Sequence, residues 1–147
     1  MGRKEQALAY VNALEVGAIE VGEIVSWADS IIEIEEKPQI EFIELAMVKT
    51  QSDAVTWLNK IAVGASIEES VRRLFGIYEG ALENEKCTYE DIARQLFFMA
   101  SRDERVGQFT ELFGYWNDLD LAEMGGWRGS LVEVQEEMLG FFKKNKA

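Results

Sequence analysis

The sequence contains no histidine and only one cysteine. Without histidine the chain can form no His-assisted serine or cysteine triad, no Glu-x-x-His di-iron site, no HExxH zinc site and no ordinary haem ligation. The single cysteine, Cys87, cannot form a disulfide within the chain. A helix is predicted to begin just after it, where a thiol pKa can fall, but the sequence offers no basic or metal-binding neighbour to activate it. We therefore interpret Cys87 as an incidental thiol.

Phosphate-binding loops and membrane segments are missing as well. Neither a GxxxxGK[ST] nor a GxGxxG pattern occurs, so the usual glycine-rich phosphate sites are excluded. No apolar run approaches the roughly 18 residues that a membrane helix needs. The sequence also lacks a basic segment followed by an apolar stretch, which is typical of a secretory leader. We expect a cytoplasmic protein that does not bind membranes.

Basic residues are scarce relative to acidic ones. The chain has 27 Asp and Glu against 15 Lys and Arg, for a formal net charge of −12. Residues 1–50 hold 10 acidic and 4 basic side chains, so half of the net charge lies in the first third of the chain. Such a field repels nucleic acid and anionic lipid and attracts basic proteins. We predict no nucleic-acid binding, and the acidity serves either solubility or a basic protein partner.

The hydrophobic pattern predicts an all-α protein. Hydrophobic residues make up 48 % of the chain, which is enough for a core and too much for disorder. Apolar residues recur at helical spacing, and no stretch alternates with the period of a β-strand. Capping signatures occur at Ser66, Thr88 and Ser130, and weaker cap candidates occur at Ser52 and Ser101. We predict one all-α domain over residues 1–147, a bundle of about seven to eight helices.

The stretch from residue 21 to 47 is predicted to organise the fold. Residues 21–33 have the pattern of an amphipathic helix, and an acidic turn is expected at 35–37. Pro38 suits the first turn of a helix that follows. Because residues 40–47 are almost all apolar, we predict that this second helix is central and covered on most sides.

Five glutamates and one tryptophan of this stretch form the candidate binding site. Trp27 borders the apolar face of the first helix, so it either packs at the edge of the core or anchors a partner. The glutamates surround the turn at Pro38 and are predicted to form an acidic face for a basic partner. These glutamates are Glu33, Glu35, Glu36, Glu41 and Glu44.

A second acidic group lies in residues 117–129, where the helical pattern fails and the longest loop is predicted. Paired carboxylates can hold Mg²⁺ or Ca²⁺ or exchange protons with a substrate. The spacing is not that of an EF-hand, however, and no other active-site group accompanies the acids. The charged and aromatic residues of the segment are Asp118, Asp120, Glu123, Trp127 and Arg128.

The first third of the chain resembles a known class of proteins. Its order of Gly17, Val21, Trp27-Ala28-Asp29, an acidic turn with Pro38, and Ile43-Glu44-Leu45-Ala46 is similar to a pattern in small acidic bacterial proteins, some of which resemble immunity proteins of toxin systems. The resemblance implies a compact cytoplasmic protein that binds and blocks a basic toxin domain. It supplies no defining motif, so no functional residue is transferred.

Three functions remain open at this point. The first is a non-enzymatic binding protein, without cofactor or metal, that inhibits a basic toxin domain through its acidic face. The second is a structural or regulatory protein that associates with itself through exposed aromatic residues such as Trp127. The third is a histidine-free enzyme that uses Asp118, Asp120 and Arg128.

Overall fold

The computed structural model describes residues 2–125 and 130–147, and within them the structure is helical with no β-strand. The all-α prediction is confirmed. These residues form nine α-helices, of which seven have seven or more residues. None of the described helices combines the length and the apolar character needed to cross a membrane. The helices are α1 (Arg3–Glu15), α2 (Val21–Ile34), α3 (Ile40–Leu45), α4 (Gln51–Ile61), α5 (Ile67–Glu83), α6 (Tyr89–Arg102), α7 (Glu104–Gly107), α8 (Tyr115–Glu123) and α9 (Leu131–Asn145), with a 3-10 turn at Thr110–Phe113.

The predicted caps at Ser66, Thr88 and Ser130 are confirmed. In each case the hydroxyl oxygen accepts the backbone N–H of the residue three positions later. At Ser66 the second half of the expected capping box is replaced, because the Ser66 N–H donates to Glu5 Oε2 of α1 at 2.7 Å. This bond lowers the pKa of the Glu5 carboxyl below its usual value. It also ties α1 to the first turn of α5.

The predicted caps at Ser52 and Ser101 are wrong. Helix α4 begins two residues earlier than expected, because the Thr50 hydroxyl already accepts a backbone N–H of its first turn at 3.1 Å. Ser101 lies inside α6, where its hydroxyl donates to the Phe97 carbonyl at 2.8 Å. The carboxylate of Asp103 caps α7 instead. In both places a neighbouring side chain with the same capping chemistry is used.

Helix α5 occupies the centre of the fold. It packs against α1, α7 and α9. Its buried apolar face consists of Val71, Leu74, Phe75, Tyr78 and Leu82, which recur at helical spacing. Phe75 is the hub of an aromatic cluster, with ring centroids 5.2 Å from Phe109, 5.1 Å from Phe141 and 5.5 Å from Phe142. The buried core runs continuously from Ala7 to Phe142.

The prediction that residues 40–47 form the central helix is wrong. Helix α3 has only six residues, starts after Pro38 and packs against α2 and α4 at one side of the fold. A helix this short has a single face in contact with its neighbours, so Phe42 and Leu45 are buried while other apolar side chains face solvent. High apolar content therefore does not mean burial here.

The predicted loop at 117–129 is also wrong in its first half. Residues 115–123 form α8, in which Tyr115, Leu119 and Ala122 recur at helical spacing and are buried. The acidic residues between them had obscured this apolar face. Trp127 and Arg128 lie outside the described residues.

Candidate functional site

The turn between α2 and α3 presents the candidate binding surface. Along α2 the side chains of Ile24, Ala28 and Ile31 face the core. Ile34 continues this stripe by one more turn, beyond the last contact with the core, and is 74 % exposed. The helix ends at the next residue, Glu35, whose N–H donates to the Ile31 carbonyl at 3.1 Å. The apolar stripe of α2 is thus buried up to Ile31 and exposed to solvent at Ile34.

Helix α3 and the turn that follows it add three more exposed aliphatic side chains. Ile40, Ile43 and Met47 follow the i, i+3, i+7 spacing that places side chains on the same side of a helix. They are between 37 and 59 % exposed. The opposite side of α3, with Phe42 and Leu45, is buried against the fold. Helix α3 therefore has two apolar sides, and only one of them is used inside the molecule.

Four of the five predicted glutamates alternate along the chain with these aliphatic side chains. Glu33 and Glu36 are exposed, and Glu41 and Glu44 are half-buried. Among the described residues, none of these four forms an ion pair. Together with Ile34, Ile40, Ile43 and Met47 they form what we call the acidic–aliphatic surface.

Glu35 differs from the other four glutamates. Its carboxylate accepts a hydrogen bond from Arg3 of α1 and pairs with this cation. The pair joins the first helix to the turn between α2 and α3. This contact partly neutralises Glu35 and gives it a positioning role, and its predicted contact with a partner stays a prediction.

Trp27 lies beneath the acidic–aliphatic surface. Its half-buried ring makes edge-on contacts with Tyr10, at a centroid distance of 5.2 Å, and with Phe42, at 5.4 Å. These contacts agree with packing at the edge of the core. Because Phe42 belongs to α3, the ring of Trp27 holds α3 against α2 and so positions the surface. A direct contact of Trp27 with a partner stays a prediction.

A second exposed surface, which the sequence analysis missed, consists of aromatic rings. Phe97 lies 5.6 Å from Phe98, 6.3 Å from Phe113 and 5.6 Å from Trp116, measured between ring centroids. Phe98 is 45 % and Phe113 41 % exposed. We call these four residues the aromatic surface. The available signal was the pair Phe97-Phe98, since adjacent helical residues point in different directions and cannot both face one core.

The aromatic surface exists because the chain breaks after α7. The sequence suggested one inner stripe through Val106, Phe109, Phe113 and Trp116. Val106 and Phe109 do enter the core. The 3-10 turn at Thr110–Phe113 then changes the direction of the chain, so Phe113 and Trp116 pack on α6 from the outside.

The late acidic residues do not converge. Asp118 and Asp120 are two positions apart on α8, so their side chains leave the helix about 200° apart. Among residues 2–125 and 130–147, no three Asp, Glu or Cys side chains are grouped so that they could hold a metal ion. Trp127 and Arg128, which were predicted to complete this site, lie outside the described part of the chain.

Cys87 has the environment of an unreactive thiol. Burial, and secondarily the nearby carboxylate of Asp91, raise the pKa of the Cys87 thiol above its usual value. A raised pKa keeps the thiol protonated at neutral pH, whereas a nucleophilic cysteine needs the thiolate.

Comparison with protein-family models, with curated proteins and with solved structures finds no match to this chain. The geometry and charge of its own surfaces are therefore the basis for a functional proposal.

Proposed function

We propose that this chain is a non-enzymatic binding protein whose acidic–aliphatic surface binds a basic protein. In its most concrete form the proposal is an immunity-type inhibitor that covers the cationic surface of a toxin domain. The observation that supports it most is the mixture of four exposed aliphatic side chains with four carboxylates that have no ion pair within the described residues.

The two kinds of side chain have different roles in binding. Aliphatic groups that leave water on binding contribute about 25 cal/mol for each Å² that becomes buried. The carboxylates select a partner of opposite charge and accelerate its approach. Lysine and arginine side chains of a partner can contact both the aliphatic groups and the carboxylates. Their apolar stems can lie on Ile40 and Ile43 while their charged ends reach Glu41 and Glu44.

Inhibition by this surface requires no catalytic group. A toxin that acts on nucleic acid needs a basic surface to hold the phosphate backbone. An acidic protein seated on that surface blocks it sterically and electrostatically. The net charge of −12 also favours rapid capture of such a partner at low salt.

We expect that charge reversal at the acidic–aliphatic surface weakens partner binding about tenfold or more, since several favourable charge contacts become repulsive. The variant is Glu33→Lys/Glu36→Lys/Glu41→Lys/Glu44→Lys. A basic partner is first captured from a lysate of the source organism at low salt and identified, and Kd is then measured by biolayer interferometry with the purified partner.

A matched control separates this site from the overall charge. Four exposed glutamates elsewhere, Glu83, Glu90, Glu111 and Glu136, are changed to lysine. Both variants then have a net charge of −4 instead of −12. Equal binding of the wild type and the first variant would refute the site, and equal weakening by both variants would show that only net charge matters. If no basic protein is captured, the acidity serves solubility.

The aromatic surface supports a second candidate function, self-association. Exposed aromatic clusters are typical of protein contacts, and this surface takes the place of the predicted contact through Trp127. On this alternative, the wild type forms a dimer in sedimentation velocity, and Phe98→Ser/Phe113→Ser shifts it to monomer. Val63→Ser is the control, because Val63 is exposed but isolated from these rings. A wild-type protein that stays monomeric at high concentration would exclude this function.

A further inference from the structure

A small cavity of about 210 Å³ lies between α1, α5, α6 and the start of α7. It is on a different part of the fold from the acidic–aliphatic surface, which belongs to α2 and α3. Most of its wall is apolar, with Leu8 from α1, Val71 from α5 and Met99 from α6. Four polar side chains also line it, namely Asn12, Ser70, Arg102 and Asp103, and the Asp103 carboxylate is paired with Arg105. The cavity thus combines an apolar interior with a hydroxyl and a guanidinium.

Ser70 is the first sign that this cavity accommodates a ligand. It is one of three buried polar residues in the described chain, and it is only 2 % exposed. The other two have partners, since Glu79 accepts from Lys146 at 2.7 Å and Gln95 donates to the Asn12 carbonyl at 2.8 Å. No side-chain hydrogen bond of Ser70 occurs within residues 2–125 and 130–147. Its oxygen retains some solvent access, so a ligand oxygen in the cavity can accept a hydrogen bond from this hydroxyl.

Arg102 is the second sign. Its Nε donates to the Phe98 carbonyl at 3.1 Å, and its charge has no ion-pair partner among the described residues. The nearest carboxylate in sequence, that of Asp103, is engaged by Arg105, whose Nη2 lies 2.8 Å from it. In a chain with 27 acidic residues, this leaves an exposed guanidinium without an ion pair on the wall of the cavity.

We propose that this cavity binds a small carboxylic acid with an apolar body. The carboxylate pairs with the guanidinium of Arg102, and Ser70 donates a hydrogen bond to an oxygen of the same ligand. The apolar body lies against Leu8, Val71 and Met99. A cavity of roughly 150 Å³ is enough for benzene, so this cavity has room for the chain of a short fatty acid such as hexanoate.

The test is a titration of the protein with sodium hexanoate, followed by methyl and amide NMR spectra. We expect saturable shifts at Leu8, Val71 and Met99 in the millimolar range. Hexan-1-ol and hexylamine have the same chain without the negative charge, and we expect them to bind about tenfold more weakly, as the loss of a charge-assisted hydrogen bond predicts.

Two variants and one control locate the ligand. Arg102→Gln should weaken hexanoate binding about tenfold, and Met99→Trp should abolish it by filling the cavity, with the circular dichroism spectrum unchanged. Arg94→Gln is the matched control, because Arg94 lies two turns earlier on α6, pairs with Asp91 and does not line this cavity. The proposal is overturned if hexanoate causes no saturable shifts, if hexylamine binds equally well, or if both arginine variants have the same effect.

Discussion

Replacing Phe75 by alanine should lower the free energy of unfolding by about 3–5 kcal/mol, the range typical of a deleted buried phenylalanine. Phe75 is completely buried on the central helix α5. It contacts Phe109, Phe141 and Phe142, which come from the region after α7 and from α9. The cavity left by the substitution would face three rigid rings, which cannot easily collapse into it. Most of the expected decrease in the free energy of unfolding therefore remains after the neighbouring side chains have adjusted to the cavity.

Urea unfolding, followed by circular dichroism at 222 nm, measures this loss. Phe98→Ala is a matched control, because it deletes the same atoms from a ring that is 45 % exposed on the aromatic surface. We expect this control to cost about 1 kcal/mol or less, as is usual for surface substitutions. Similar losses for both variants would contradict the central position of α5.

Replacing Gln95 by leucine should cost about 1–3 kcal/mol, because the buried Tyr78 hydroxyl and the part-buried Asn12 carbonyl each lose their shorter hydrogen bond. Gln95 of α6 accepts a hydrogen bond from the Tyr78 hydroxyl of α5 and donates to the Asn12 carbonyl of α1 at 2.8 Å. One side chain thus joins three helices. Burial raises the pKa of the Tyr78 hydroxyl well above its usual value, so this group remains a donor over the whole pH range of ordinary measurements.

A double-mutant cycle with Tyr78→Phe isolates this interaction. Each single variant takes one hydrogen-bond partner from the remaining side chain, although the Tyr78 hydroxyl keeps a weak bond to the Asn12 carbonyl at 3.4 Å. The double variant removes both members of the Tyr78–Gln95 bond. We expect the two losses to be non-additive by about 1 kcal/mol or more. Strict additivity of the unfolding free energies would mean that the two side chains do not interact.

Local signals in the sequence predicted most of the helices correctly. The side-chain caps at Ser66, Thr88 and Ser130 depend on one residue and its near neighbours, so the sequence contains all the information needed. The same holds for the inner face of α5, where five apolar residues recur at helical spacing. Glycine just after an apolar helical pattern is likewise a local signal for a helix end, and Gly17, which follows α1, has the positive φ of 76° typical of that position.

Local sequence signals did not predict which apolar side chains are buried, because burial depends on tertiary packing. Residues 40–47 and the stripe from Val106 to Trp116 are both rich in apolar side chains, and both were assigned to the core. Which of these side chains are buried depends on the neighbouring helices, and no local pattern records that. In α8 the error was the opposite one. Its acidic residues led to the prediction of a loop, although the segment is a helix with a buried apolar face.

The candidate binding surface was predicted in part. The glutamates were identified correctly as a cluster at the turn between α2 and α3, because charge density can be counted along the chain. The exposed aliphatic residues beside them were missed, since isoleucine and methionine at helical spacing normally indicate core. The structure therefore adds exposed aliphatic side chains to the predicted site of five glutamates and Trp27, and such a mixed surface suits a partner with apolar as well as basic groups.

The position of α5 between α1 and α9 affects the order in which the protein can fold. During synthesis, residues 3–83 can form α1 to α5 and their mutual contacts, but α9 begins only at residue 131. Until then the side of α5 that carries Phe75 has no phenylalanines from α9 to cover it. Contacts between segments so distant along the chain are slow to form. We expect nascent chains that lack α9 to expose this face and to aggregate or recruit chaperones.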